Sequence, residues 1–100
     1  MADAEAQPAA EIYLDTDADG AVLVHLSGVW RSGLDRPHAR AIIPLIEEHE
    51  RAWIVRFRAE GLVDWDSGLL TFLVTLKALC VERGIDLEAS GLPDGAQRLL

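Results

Sequence analysis

Between Ala52 and Ala89 the hydrophobic pattern changes period twice. From Ala52 to Arg58 it alternates, with Trp53, Val55 and Phe57 on one side and Arg56 and Arg58 on the other, as in a strand with one covered face. From Asp66 onward, Leu69, Phe72, Leu73, Leu76 and Cys80 recur at three- and four-residue spacing, which predicts a helix. Arg83-Gly84 supplies its C-terminal stop. Ile85 to Ala89 is short and follows that helix, so it reads as a further strand. A helix between two strands carries the chain across the sheet, so the strands it joins pair in parallel.

Upstream, Glu11 to Thr16 alternates, with Ile12 and Leu14 on one side. Ala21 to Leu26 does the same with Val22, Val24 and Leu26, and Ser27-Gly28 ends it. Asp17-Ala18-Asp19-Gly20 lies between them, and Asp-Gly supplies the positive φ of a tight turn. An antiparallel hairpin is expected. Val29 to Asp35 reads as a loop, where Trp30 serves either the core or an interface. A helix follows, with Asp35 as its expected N-cap, Pro37 in its first turn, and Ala39, Ile42, Ile43 and Ile46 as its apolar stripe. Pro44 interrupts that stripe, at a cost of about 3 kcal/mol, so the helix either bends or divides.

Ala59 to Trp65 reads as a loop, Ser90 to Gly95 as another, and Ala96 to Leu100 as the first turn of a last helix. Ending there, the chain reads as a fragment of something longer. Met1 to Ala10, rich in Ala, reads as a flexible tail before a single domain over 11–100. The expected class is α/β, a small mixed sheet (hairpin first, then parallel strands) with helices packed on it.

Chemistry is scarce. The 100 residues carry a net charge of −8, which repels nucleic acid and suits a basic partner. Cys80 is the only cysteine, so there is no internal disulfide, and its neighbours make it a small buried hydrophobe of a reducing compartment. His25, His38 and His49 lack metal-ligand spacing, and no nucleotide loop or nucleophile elbow occurs. Glu47, Glu48 and Glu50 read as a solvated helix face. No catalytic residue, metal or cofactor is expected. No signal peptide or span of roughly 18 apolar residues is present, so no direct membrane insertion is expected.

The segment with most to offer is Asp64-Trp65-Asp66-Ser67-Gly68-Leu69, where a strand hands over to the best helix. Asp66 suits an N-cap there, and the helix dipole favours negative charge, including a phosphate on Ser67.

Trp65-Asp66-Ser67-Gly68 before a Leu-rich helix, a Gly-ended helix at Arg83-Gly84, a short strand and then Gly91-Leu92-Pro93 together resemble the STAS family of sulfate transporters and anti-sigma factor antagonists. The runs Trp65 to Leu73 and Ser90 to Leu100 resemble more closely the N-terminal STAS-like domain of MlaE-type ABC permeases. The resemblance covers about residues 11 to 100. It implies a non-enzymatic module at the cytoplasmic face of the inner membrane, joined to the membrane-embedded permease part of its own chain and docking on the ATPase subunit. The system would move phospholipid or related lipid. Asp64, Trp65, Asp66, Ser67, Leu70 and Thr71 are the candidate partner-binding residues. The alternative is a free-standing anti-sigma factor antagonist whose partner kinase phosphorylates Ser67. This chain departs from that motif: the leading Asp falls on Trp65, and Asp66 sets a fixed negative charge beside Ser67.

Overall fold

A computed structural model describes residues 8–49 and 53–100. Its elements run β1 (Glu11–Thr16), β2 (Val22–Trp30), α1 (Ala39–Glu47), β3 (Ile54–Trp65), α2 (Ser67–Glu82), β4 (Asp86–Leu87) and α3 (Asp94–Leu99). The sheet order is β1-β2-β3-β4, with β1 antiparallel to β2 and the remaining pairs parallel. The expected α/β class and mixed sheet are therefore present. Because the parallel strands follow one another in order, right-handed crossovers place α1 and α2 on the same face.

The hairpin forms as its turn chemistry dictates. Gly20 adopts φ 88°, and its amide donates to the Asp17 carbonyl at 2.9 Å. Register places Ile12 opposite Leu26 and Leu14 opposite Val24 on the helix-covered face. That face joins Val22, Val24, Leu26, Val55 and Phe57 to Ile42, Ile43 and Ile46 of α1 and to Leu69, Phe72, Leu73, Leu76 and Cys80 of α2. Cys80 is fully buried, and burial pushes its thiol above the usual range, as befits a packing residue.

On the opposite face, Arg56 gathers three carboxylates: Asp17 at 2.6 Å, Asp19 at 3.3 Å and Glu88 at 3.1 Å. The cluster ties the hairpin turn to the residue after β4. The Asp19 amide and the Arg56 guanidinium hold the Asp17 carboxyl below its ordinary range.

Several expected boundaries need correction. The second strand does not stop at Ser27-Gly28 but runs on to Trp30. Gly28, at φ 84°, passes so close to the Ala9 carbonyl that no Cβ fits, and the register with β3 slips on either side of it. That irregularity reads in sequence as a stop. The stretch 59–65, expected as a loop, is strand: Gly61, Leu62, Asp64 and Trp65 pair with Ser27, Gly28, Val29 and Trp30. Backbone pairing overrides a charged, Gly-containing sequence of weak strand propensity. Trp53 is 52% exposed and precedes the strand, so it does not share the buried face of Val55 and Phe57. Ala52 and Glu50 lie outside the described residues.

The first helix begins at Ala39 with His38 as its N-cap, not after Asp35. Pro37 biases the residue before it away from helical backbone, and His38 is itself extended. Pro44 neither divides nor ends α1. It is exposed, and its ring nitrogen has no hydrogen to donate to the carbonyl of Arg40 one turn earlier. The fourth strand shrinks to two residues, and α3 starts at Asp94 rather than Ala96. The expected tail is shorter at its inner end: the Val29 amide donates to the Pro8 carbonyl at 3.0 Å, and Ala10 is buried. Residues 1–7 of that tail lie outside the described residues. Glu47 and Glu48 are exposed as expected, and Glu47 meets Arg83 at 3.2 Å.

Trp30 settles as core. It is fully buried, its ring meets Phe72 edge-on at 4.9 Å, and its indole N–H donates to the Ser27 carbonyl at 2.9 Å. Trp30→Ala should lower stability by about 3–5 kcal/mol, read as a fall in the urea midpoint.

Candidate functional site

Two parallel strands, β2 and β3, end side by side, and the chain leaves each at the same edge of the sheet. In open α/β sheets that carboxyl edge is where sites are built. Asp66 makes the junction. One oxygen of its carboxylate accepts the Gly68 amide at 2.8 Å, the N-cap bond of α2. The same oxygen accepts the Ser32 amide, also at 2.8 Å, from the loop after β2. Its own amide donates to the Trp30 carbonyl at 3.1 Å. These two backbone donors, with Arg31 and Arg36 nearby, hold the carboxyl below its ordinary range.

Gly68 makes that closure possible. A Cβ there would sit 2.6 Å from the Ser32 backbone nitrogen. The Ser67-Gly68 step thus marks a close approach of two backbones as well as a helix start.

The structure distributes the six candidate residues among different tasks. Asp64 is half-exposed and pairs with Arg31 at 3.4 Å. Trp65 is half-buried against the core, with its indole over the backbone of Gly95 in α3. Leu70 is half-buried against the same core. Asp66 is occupied by capping, so it shapes the junction and does not simply line a surface. Ser67 and Thr71 are exposed one helical turn apart, and the Thr71 hydroxyl donates to the Ser67 carbonyl at 3.0 Å.

Continuing along α2 from Ser67 and Thr71, the same side of the helix carries Val74, Ala78 and Val81. Val74 is 54% exposed and Val81 is 68% exposed. With Leu99 of α3 they border a groove of about 460 Å³. A helix apolar on nearly every side is ordinarily buried on every side, and α2 is not. The sequence places a contact surface on the Asp64 to Leu70 loop and the exposed face of the helix after it, but the residues it singles out end at Thr71, although no polar face separates the core-facing residues of α2. The role of Ser32 carried no sequence signal, because it donates a backbone amide from 34 residues away.

Among the described residues, no group of three or more His, Cys, Asp or Glu side chains is placed to hold a metal, and no helix is long and apolar enough to cross a membrane. Comparison with protein-family models, with curated proteins and with solved structures returns no match.

The depressed Asp66 carboxyl sets a pH dependence. Its folded-state pKa lies below the unfolded value, so its contribution is full above about pH 4 and is lost as pH falls through the lower folded value. Asp66→Ala should lower Tm clearly at neutral pH. The gap to the parent chain should narrow towards pH 2, measured by thermal melts across that range.

Proposed function

We propose that the chain is a non-enzymatic interaction module of the STAS kind, serving an MlaE-type permease on the cytoplasmic side and docking on its ATPase subunit. The motif runs Trp65 to Leu73 and Ser90 to Leu100 support the family reading. One observation carries the docking reading: beside its buried apolar side, α2 exposes a second, largely apolar stripe from Ser67 and Thr71 through Val74, Ala78 and Val81. Such patches mark contact surfaces in small domains. The stripe begins at a junction fixed by the Asp66 hydrogen bonds, so it is presented in one geometry and its ordering is not charged to binding. The net charge of −8 favours a basic patch on the partner and speeds encounter more than it strengthens the complex.

One observation favours a second reading, an anti-sigma factor antagonist phosphorylated at Ser67. Ser67 is exposed, and Arg31 and Arg36 already act on the Asp66 carboxylate beside it. They would partly offset a second negative charge. On that reading a partner kinase labels the parent chain, and Ser67→Ala abolishes the label.

The docking reading is tested by titrating the ATPase subunit against the parent chain, Ser67→Glu and Val74→Asp. Both substituted sites are exposed, so the folded state should persist by circular dichroism. Each variant should raise Kd by about tenfold or more, equivalent to roughly 1.4 kcal/mol. Unchanged affinity in both variants removes this stripe from the interface.

A further inference from the structure

Among the described residues, the sheet order leaves two outer edges, and they differ. β4 is only two residues long, which blunts its side. β1 runs six residues, contains no proline and pairs with β2 through six unbroken rungs. The Asp17 amide donates to the Ala21 carbonyl at 2.9 Å, and hydrogen-bonded pairs alternate along the ladder from there. Glu11, Tyr13 and Asp15 therefore turn their amides and carbonyls towards β2, while Ile12 and Leu14 turn theirs away from the sheet. Among the described residues, no loop, turn or side chain bonds those four outward groups. The Thr16 amide, next along the same edge, is taken by the Asp15 carboxylate at 2.8 Å.

The side chains along this edge alternate between the two faces of the sheet. Ile12 and Leu14 lie on the helix-covered face, where they pack against the core but are only partly buried. Glu11, Tyr13 and Asp15 are exposed on the other face, Tyr13 by 62%. Among the described residues, neither Glu11 nor Asp15 has a cation within salt-bridge distance. Residues 8–24 contain no Lys, Arg or His, and Arg56 reaches only Asp17 and Asp19 of this stretch. A strand laid along β1 would meet open backbone partners, two apolar side chains to cover and two unanswered negative charges.

We propose that the β1 edge accepts an extended segment of a partner protein in which apolar residues alternate with Lys or Arg. Main-chain hydrogen bonds to Ile12 and Leu14 hold the segment, and its alternate side chains set specificity. Its apolar residues complete the cover over Ile12 and Leu14, and its cations lie across from Glu11 and Asp15. The same charges decide against a second copy of this chain. Antiparallel self-pairing centred on Tyr13 puts Glu11 directly opposite Asp15 twice, and like charges so placed are destabilising. Two carboxylates that guard the edge against its own kind thus select a basic strand. This surface does not rest on the docking reading of α2.

The test is amide-resolved NMR and hydrogen exchange on the whole chain, with two capped peptides whose sequences read the same in either strand direction. One has the core Lys-Val-Thr-Val-Lys and the other Glu-Val-Thr-Val-Glu. In the free chain the Tyr13 amide should be protected, and the Ile12 and Leu14 amides should exchange freely. The basic peptide, taken to millimolar concentration, should slow exchange at Ile12 and Leu14 and shift the β1 amides saturably. It should bind about tenfold more tightly than the acidic one. A Glu11→Gln, Asp15→Asn double variant should erase most of that preference. Both positions are exposed, and Asn keeps an acceptor for the Thr16 amide, so the fold should persist. The basic peptide methylated on every backbone nitrogen should not bind, which separates strand addition from attraction by charge alone. Unslowed exchange at Ile12 and Leu14, equal affinity for the two peptides, or binding of the methylated one would overturn the proposal. So would protection of those two amides that rises with the concentration of the free chain, which would make the occupant a second copy.

Discussion

Asp66 receives two amide protons on one oxygen, from Gly68 inside α2 and from Ser32 in the loop after β2. Those donors are 36 residues apart in the chain. Their convergence joins the ends of the two central strands to the start of the longest helix. It also demands the missing side chain at Gly68, where the Ser32 backbone passes. The parallel pairing of β2 with β3 continues to its last rung, Trp30 with Trp65, because the chain is clamped immediately beyond it. The pose of Ser67 and Thr71 follows from the same clamp.

The second organising fact is the imbalance of α2. A 100-residue chain buries only roughly 60–65% of its unfolded surface, so its core cannot surround a helix that is apolar on nearly every side. The sheet and α1 cover the side carrying Leu69, Phe72, Leu73, Leu76 and Cys80. Val74 and Val81 are left facing water.

Elements with strong local chemistry were legible in the sequence. Asp-Gly marked the hairpin, and Asp66 marked the start of α2. Gly84, at φ 71°, closes α2 with the Ile85 amide on the Cys80 carbonyl at 2.9 Å, the reciprocal pattern expected of a glycine stop. Features set by partners distant in sequence were not legible. The outer halves of β2 and β3 are strand because they pair with each other, and Gly28 and Gly61 individually argue against it. Trp30 looked like a loop residue until that pairing buried it. At the site, the cap was readable from Asp66 alone, whereas the Ser32 contact depends on how the loop after β2 is laid against the start of α2.

The central claim is that one carboxylate clamps the β2 exit to the start of α2 and so holds the candidate surface in a single geometry. Amide hydrogen exchange at Ser32, in the parent chain and in Asp66→Ala, tests it most directly. Ser32 is exposed and lies outside any helix or strand, so only the clamp explains slow exchange there. The account predicts protection of the Ser32 amide in the parent chain and its loss in the variant, with core amides such as Val24 and Val55 still protected. Rapid exchange at Ser32 in the parent chain, or protection unchanged in the variant, would contradict it.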